Sequence, residues 1–136
     1  LEFLRLICGC LVMSGVAMEV SNSSRPASGS EHLISHAYDK IAQKPSLHGL
    51  QVGVATYAIS WLQENHEHET IKHVLEETGF VKYMIQNPLI KVDFIEAIKF
   101  APNIKENYYT ILSEKGMVEK LIDFVNNDVY FGQFVK

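Results

Sequence analysis

Six histidines fall into two groups, and imidazole both ligates transition metals and carries protons near neutral pH. In the first group, His32 and His36 stand at i and i+4, which puts both rings on one face of a helix. Asp39 continues that face three residues on. His48 follows across a short connection, in the first turn of the next predicted helix. These are parts from which a divalent-metal site is built, and equally residues that cap helices or sit satisfied in a core. If the two helices were simply antiparallel, His32 and His48 would lie at opposite ends and meet poorly. The segment 43–47 must therefore reposition the third helix if both are to bind one ion. The second group, His66, His68 and His73, lies with Glu67 and Glu69 in a charged corner that reads as solvated rather than as a functional metal site.

The loop ahead of His32 carries a different chemistry. Ser23, Ser24, Ser28 and Ser30 offer hydroxyls, Arg25 offers a fixed fork of donors, and a helix N-terminus follows. Amides, helix dipole and guanidinium together suit an anion such as phosphate, although an ordinary surface loop can share this composition.

The elements that must position these groups are helices. Leu1 to about Met18 is apolar on nearly every face and reads as a helix surrounded by protein, with Gly9 and Gly15 permitting close packing. It imitates a signal peptide, but Glu2 and Arg5 interrupt it and Met18-Glu19-Val20 makes a poor cleavage site. As a membrane span it reads as marginal. Ser28 and Glu31 have the spacing of a capping box, which starts the second helix at Ser28 and runs it to about Gln43. The third helix runs from about Leu47 to Asn65. Leu50, Val54, Tyr57 and Trp61 form its apolar stripe, and Gly49, Gly53, Thr56 and Ser60 a small-residue stripe that admits another backbone. A further helix ends at Gly79, a short segment covers Val81 to Gln86, and another helix covers Val92 to Phe100 with Phe94, Ile95 and Ile98 inward. The last runs from Met117 to about Asn127, with Val118, Leu121, Ile122, Val125 and Val129 on one face. No alternating strand pattern of useful length occurs, so the expected class is all-α, a bundle-like domain of about six helices over residues 1–136.

Composition narrows the function. Hydrophobic residues make up 47% and charged residues 21% of 136, as in a globular domain. Net charge is −4 and no Lys/Arg stripe occurs, which excludes the electrostatic footprint of a nucleic-acid binder. Cys8 and Cys10 read as two buried thiols in a reducing, cytoplasmic setting rather than as a disulfide. The first residue is Leu1 rather than Met, which suggests an internal start. A helical domain without its neighbours exposes apolar surface, so a homo-oligomer, self-association or a loose first helix is expected.

Three segments carry a resemblance: Ser14-Gly15-Val16-Ala17-Met18, then Ser23-Ser24-Arg25-Pro26-Ala27-Ser28-Gly29-Ser30-Glu31-His32, then Leu47-His48-Gly49-Leu50-Gln51-Val52-Gly53. Together they closely resemble the sn-glycerol-1-phosphate dehydrogenase family, within the iron-containing alcohol dehydrogenase and dehydroquinate synthase-like superfamily. Phe94 to Pro102 and Tyr109 to Glu114 are similar to that family's late helices, so the resemblance spans nearly the whole chain. It implies the helical, metal-binding half of a two-domain enzyme whose missing N-terminal α/β half binds NAD(H) or NADP(H). The implied reaction interconverts dihydroxyacetone phosphate, a small phosphorylated triose, and sn-glycerol 1-phosphate. By the same resemblance His32 and His48 match two ligands of a divalent metal, Zn²⁺ foremost with Ni²⁺ or Fe²⁺ as alternatives. A third ligand, an Asp, has no counterpart here. His36 matches a histidine near metal and substrate and would relay the proton; Ser24, Arg25 and Ser28 are the candidates for substrate binding. The family often carries a basic residue just before the Tyr-Thr-Ile-Leu segment, where this chain has Asn107 and Tyr108. The implied activity belongs to the two-domain enzyme, not to these residues alone. The alternatives are a non-catalytic helical interaction module and another iron-type alcohol or glycerol dehydrogenase.

Overall fold

The computed structural model describes all of residues 1–136. It is all-α, with seven helices: α1 (Glu2–Ser21), α2 (Ser30–Ile41), α3 (His48–Leu62), α4 (His68–Glu77), α5 (Phe80–Gln86), α6 (Lys91–Phe100) and α7 (Met117–Asn127). The extra helix is α5, read from sequence only as a short segment. It follows α4 without a loop because Gly79 takes a left-handed conformation (φ 77°) that reverses the chain in one residue. No strand forms; a single isolated parallel bridge joins Leu89 and Val135.

The core follows from the apolar faces. Leu33, Ile34, Ala37 and Tyr38 of α2 pack with Val54, Tyr57 and Ala58 of α3, Phe94 and Ile98 of α6, and Leu121 and Val125 of α7. An aromatic cluster closes one end, where Tyr57 lies 6.2 Å from both Phe131 and Phe134. The C-terminal tail is pinned into it: Leu89 N–H donates to Phe134 O and Lys136 N–H to Leu89 O, both at 2.9 Å. Each buried ring removes a large apolar area from water, so the cluster contributes strongly to the stability of the core.

Several expectations change. The first helix is not surrounded by protein: none of its residues is buried, and Leu4 and Leu11 are 61% and 67% exposed. Its apolar composition has no cover within these 136 residues, so Cys8 and Cys10 are exposed rather than buried, and Gly9 and Gly15 have nothing packed against them. By length and composition alone α1 is long and apolar enough to cross a membrane, a test that core helices and signal sequences also pass. Its Leu11, Ser14 and Met18 nevertheless line a cleft shared with α2, which ties it to the helical domain.

The capping box at Ser28 does not form. The N-cap is Gly29, two residues after the Pro26-Ala27 turn, and Ser28 is held extended with its carbonyl accepting from the Tyr108 hydroxyl. Only the reach-back half survives, with Glu31 Oε1 accepting from Gly29 N–H at 2.7 Å. The small-residue stripe of α3 admits a ring rather than a backbone. A Cβ on Gly53 would lie 2.6 Å from the Phe80 ring. Val129, placed on the inner face of the last helix, falls beyond its end and is 87% exposed.

Candidate metal and substrate site

The connection 42–47 brings the first group of histidines together. It is extended at both ends, Ala42 and Leu47, and carries the chain back along α2 before α3 begins. The first turn of α3 is therefore anchored against the middle of α2, not its C-terminus. Gln51 Nε2 donates to Asp39 Oδ1 and to Ser46 O, both at 2.8 Å, and Ser35 Oγ donates to Gln51 Oε1 at 2.6 Å. His48 lands opposite His32 and His36. Ring centroids are 5.3 Å apart for His32 and His48, 5.6 Å for His36 and His48, and 6.4 Å for His32 and His36.

Two of the three rings are held from behind. His32 Nδ1 lies 2.8 Å from Glu31 Oε1, the same oxygen that caps Gly29. His48 Nδ1 lies 2.9 Å from Ser35 Oγ. In both, the other ring nitrogen is left for a ligand, the arrangement seen when an outer hydrogen bond orients a metal-binding imidazole. His36 makes neither kind of bond. Partial burial lowers its pKa below 6.5, with positive fields from His48, Lys105 and His32 adding to the effect and Asp39 opposing it, so its neutral form is favoured.

The donor chemistry fits a borderline transition metal. Imidazole nitrogens suit zinc, nickel or iron better than magnesium or calcium. Donor atoms of His36, Asp39 and His48 lie within 4.8 Å of one another. Ligand atoms around tetrahedral zinc are separated by roughly 3.3 Å, given Zn–N bonds of about 2.0–2.1 Å, so modest side-chain rotation would close the set. Asp39 already accepts from Gln51, whereas His32 and His48 are the two rings held with a nitrogen free.

Beside the histidines opens a cleft of about 540 Å³. Ser14 and Met18 of α1 form one wall, Ser24 and Ser28 of the loop another, and His32, His36 and Lys105 the floor. Nothing in the local sequence singles out Lys105. Its ammonium lies 3.1 Å from Ser24 Oγ and 4.7 Å from the centre of the Tyr108 ring. The only sequence signal was the missing basic residue before Tyr109; the positive charge stands four residues earlier. Arg25 is engaged elsewhere. Its guanidinium donates to Tyr109 O at 2.9 Å and to Asn107 O at 3.4 Å, and sits 4.2 Å over the Tyr108 ring. It ties the serine loop to the segment that carries Lys105 and does not line the cleft. The second histidine group does not converge: His68 packs 4.6 Å from the Tyr57 ring with Nδ1 2.8 Å from Ser60 Oγ, and the His66 side chain is 90% exposed.

Most of the chain has counterparts in curated proteins. Glycerol-1-phosphate dehydrogenase [NAD(P)+] of Thermococcus sibiricus is 42% identical over 122 residues, 88% of this chain and 34% of that protein. The same-named proteins of Staphylothermus marinus and Methanosphaera stadtmanae are 38% and 42% identical, over 86% and 81% of this chain. Over most of its length the chain is similar to the glycerol-1-phosphate dehydrogenases. No family model matches it. It spans about a third of the length of these curated relatives. In family terms, the all-α architecture is the expected helical portion, and α1 and the 23–32 loop, both recognised from sequence, form two walls of one cleft.

Proposed function

We propose that this chain is the metal- and substrate-holding wall of an enzyme that interconverts dihydroxyacetone phosphate and sn-glycerol 1-phosphate with NAD(H) or NADP(H). The observation that carries the reading is the convergence of His32, His36 and His48 at the edge of a cleft that also holds Lys105. His32 and His48 would hold a divalent metal, zinc foremost, through their free ring nitrogens. Such an ion supplies Lewis-acid polarisation of the substrate's carbonyl or alcohol oxygen, and the nicotinamide supplies or takes the hydride. The protein's own groups bind and orient. Lys105, with the Ser24 and Ser28 hydroxyls, offers a positive and hydrogen-bonding pole for a phosphate. Arg25 braces that pole from behind rather than touching the ligand. His36 is unbonded, lies on the cleft floor and is held in its neutral form by burial, so its free ring can accept a proton and return it.

The nicotinamide site is proposed to lie in the part of the enzyme beyond these residues, in the cytoplasm, and the 136 residues alone are proposed to be inactive. Joined in one polypeptide to the part of the Thermococcus sibiricus relative that it does not match, the chain should reduce dihydroxyacetone phosphate with NADH or NADPH. Turnover by the chain alone, or a folded, zinc-loaded chimera without turnover, overturns the proposal. The uncovered apolar surface of α1 is proposed to drive self-association. Sedimentation of the isolated chain should be concentration-dependent, and Phe3→Glu with Leu6→Glu, both exposed, should move it toward monomer. A concentration-independent monomer contradicts this.

A further inference from the structure

The polar groups behind His48 form one ordered chain, and its acceptors fix where each proton lies. Gln51, 1% exposed, points its amide nitrogen at Asp39 Oδ1 and Ser46 O, both at 2.8 Å. A backbone carbonyl only accepts, so the nitrogen must face it and the amide cannot be turned round. Oε1 of Gln51 is therefore the atom that meets Ser35 Oγ at 2.6 Å, and Ser35 donates its one proton there. Ser35 is fully buried, and only lone pairs remain on its oxygen for His48 Nδ1 at 2.9 Å. The ring nitrogen facing Ser35 must then carry a hydrogen. With the hydrogen on the other nitrogen, two lone pairs would oppose each other, or Ser35 would turn and leave the buried Gln51 oxygen without a donor.

We propose that Ser35 and Gln51 are positioning residues that lock His48 with its proton on Nδ1 and its Nε2 lone pair aimed at the histidine cluster. The inference rests on the metal reading only for what Nε2 then holds; the lock itself is a property of the metal-free chain. Neutral imidazole side chains in water favour the opposite tautomer, so the lock has a distinct signature. It also explains a sequence oddity. A buried Ser and a buried Gln, each unfavourable in a packed interior, face each other across α2 and α3 where an apolar pair would otherwise pack.

The test is long-range proton–nitrogen correlation NMR on the ¹⁵N-labelled, metal-free chain at about pH 8, where an ordinary histidine is neutral. His48→Gln assigns the His48 signals. The Nδ1–H pattern is expected for His48 in the unaltered chain. In Ser35→Ala, with its fold checked by circular dichroism, the pattern should move to Nε2–H or a mixture, and Ser35→Thr, which keeps the hydroxyl, should restore it. Zinc affinity, read by calorimetry, should fall about 10- to 100-fold in Ser35→Ala. An Nε2–H pattern in the unaltered chain overturns the lock without reference to any variant. So does an unchanged Nδ1–H pattern in folded Ser35→Ala. Nδ1–H in the unaltered chain, lost in Ser35→Ala, supports the lock even where zinc does not bind; failure to bind then counts against the metal reading alone.

Discussion

The double variant His32→Ala, His48→Ala is expected to lose specific zinc binding in a calorimetric titration against the unaltered chain. The two rings lie 5.3 Å apart, come from different helices, and are both held at Nδ1 by groups outside the cluster. Losing outer hydrogen bonds alone typically lowers metal affinity 10- to 100-fold, so removing the two proposed ligands should exceed on the order of 100-fold. The fold should tolerate the change. The His32 side chain is 25% exposed and His48 is exposed, so neither deletion opens a core cavity. His66→Ala serves as the control, because that ring stands in solvent beside Glu67 and should leave the titration unchanged. If the double variant and the unaltered chain titrate alike, His32 and His48 do not form the site. If His66→Ala removes the binding instead, the zinc was held at the charged corner.

What was legible in the sequence divides along a physical line. Periodicity within one helix could be read directly, so His32, His36 and Asp39 on one face of α2, and Val54 and Tyr57 in the stripe of α3, stand as expected. The meeting of His48 with that face could not be read. It depends on how far the connection 42–47 doubles back, and that is set by Gln51 bonding Asp39, Ser46 and Ser35, a tertiary interaction with no local pattern. Lys105 is more than 70 residues from His32, and only the fold brings it to the cleft. The misreading of α1 has another cause. Apolar composition states what a helix must bury, not whether the partner is among the residues at hand, so composition alone puts Cys8 and Cys10 in an interior that these 136 residues do not supply. The capping box failed for a local reason. The S-x-x-E spacing fits more than one start, and the turn at 25–27 together with the Tyr108 contact placed it at Gly29.

Phe94→Ala is expected to cost about 3–5 kcal/mol of stability, from lost transfer energy plus the cavity left behind. Phe94 is fully buried on α6, 6.3 Å from Tyr38 of α2 and 5.7 Å from Phe131 of the C-terminal turn, so one deletion weakens three packed segments. Against a typical total of about 5–15 kcal/mol, that is a large share. Urea unfolding should show a lower midpoint with little change in slope. The result also bears on the site, because α2 has two separable faces. Leu33, Ile34, Ala37 and Tyr38 face the core, while His32, His36 and Asp39 face the cluster. Loss of Phe94 should therefore weaken zinc binding only in proportion to the unfolded fraction, with near-normal affinity where the variant remains folded. The paired His32→Ala, His48→Ala variant should do the reverse, keeping its urea midpoint and losing the metal. A stability loss below about 1 kcal/mol for Phe94→Ala would mean that α6 is not packed on α2 through this ring. A folded Phe94→Ala chain with zinc affinity as low as the double histidine variant would mean that the two faces of α2 are not independent.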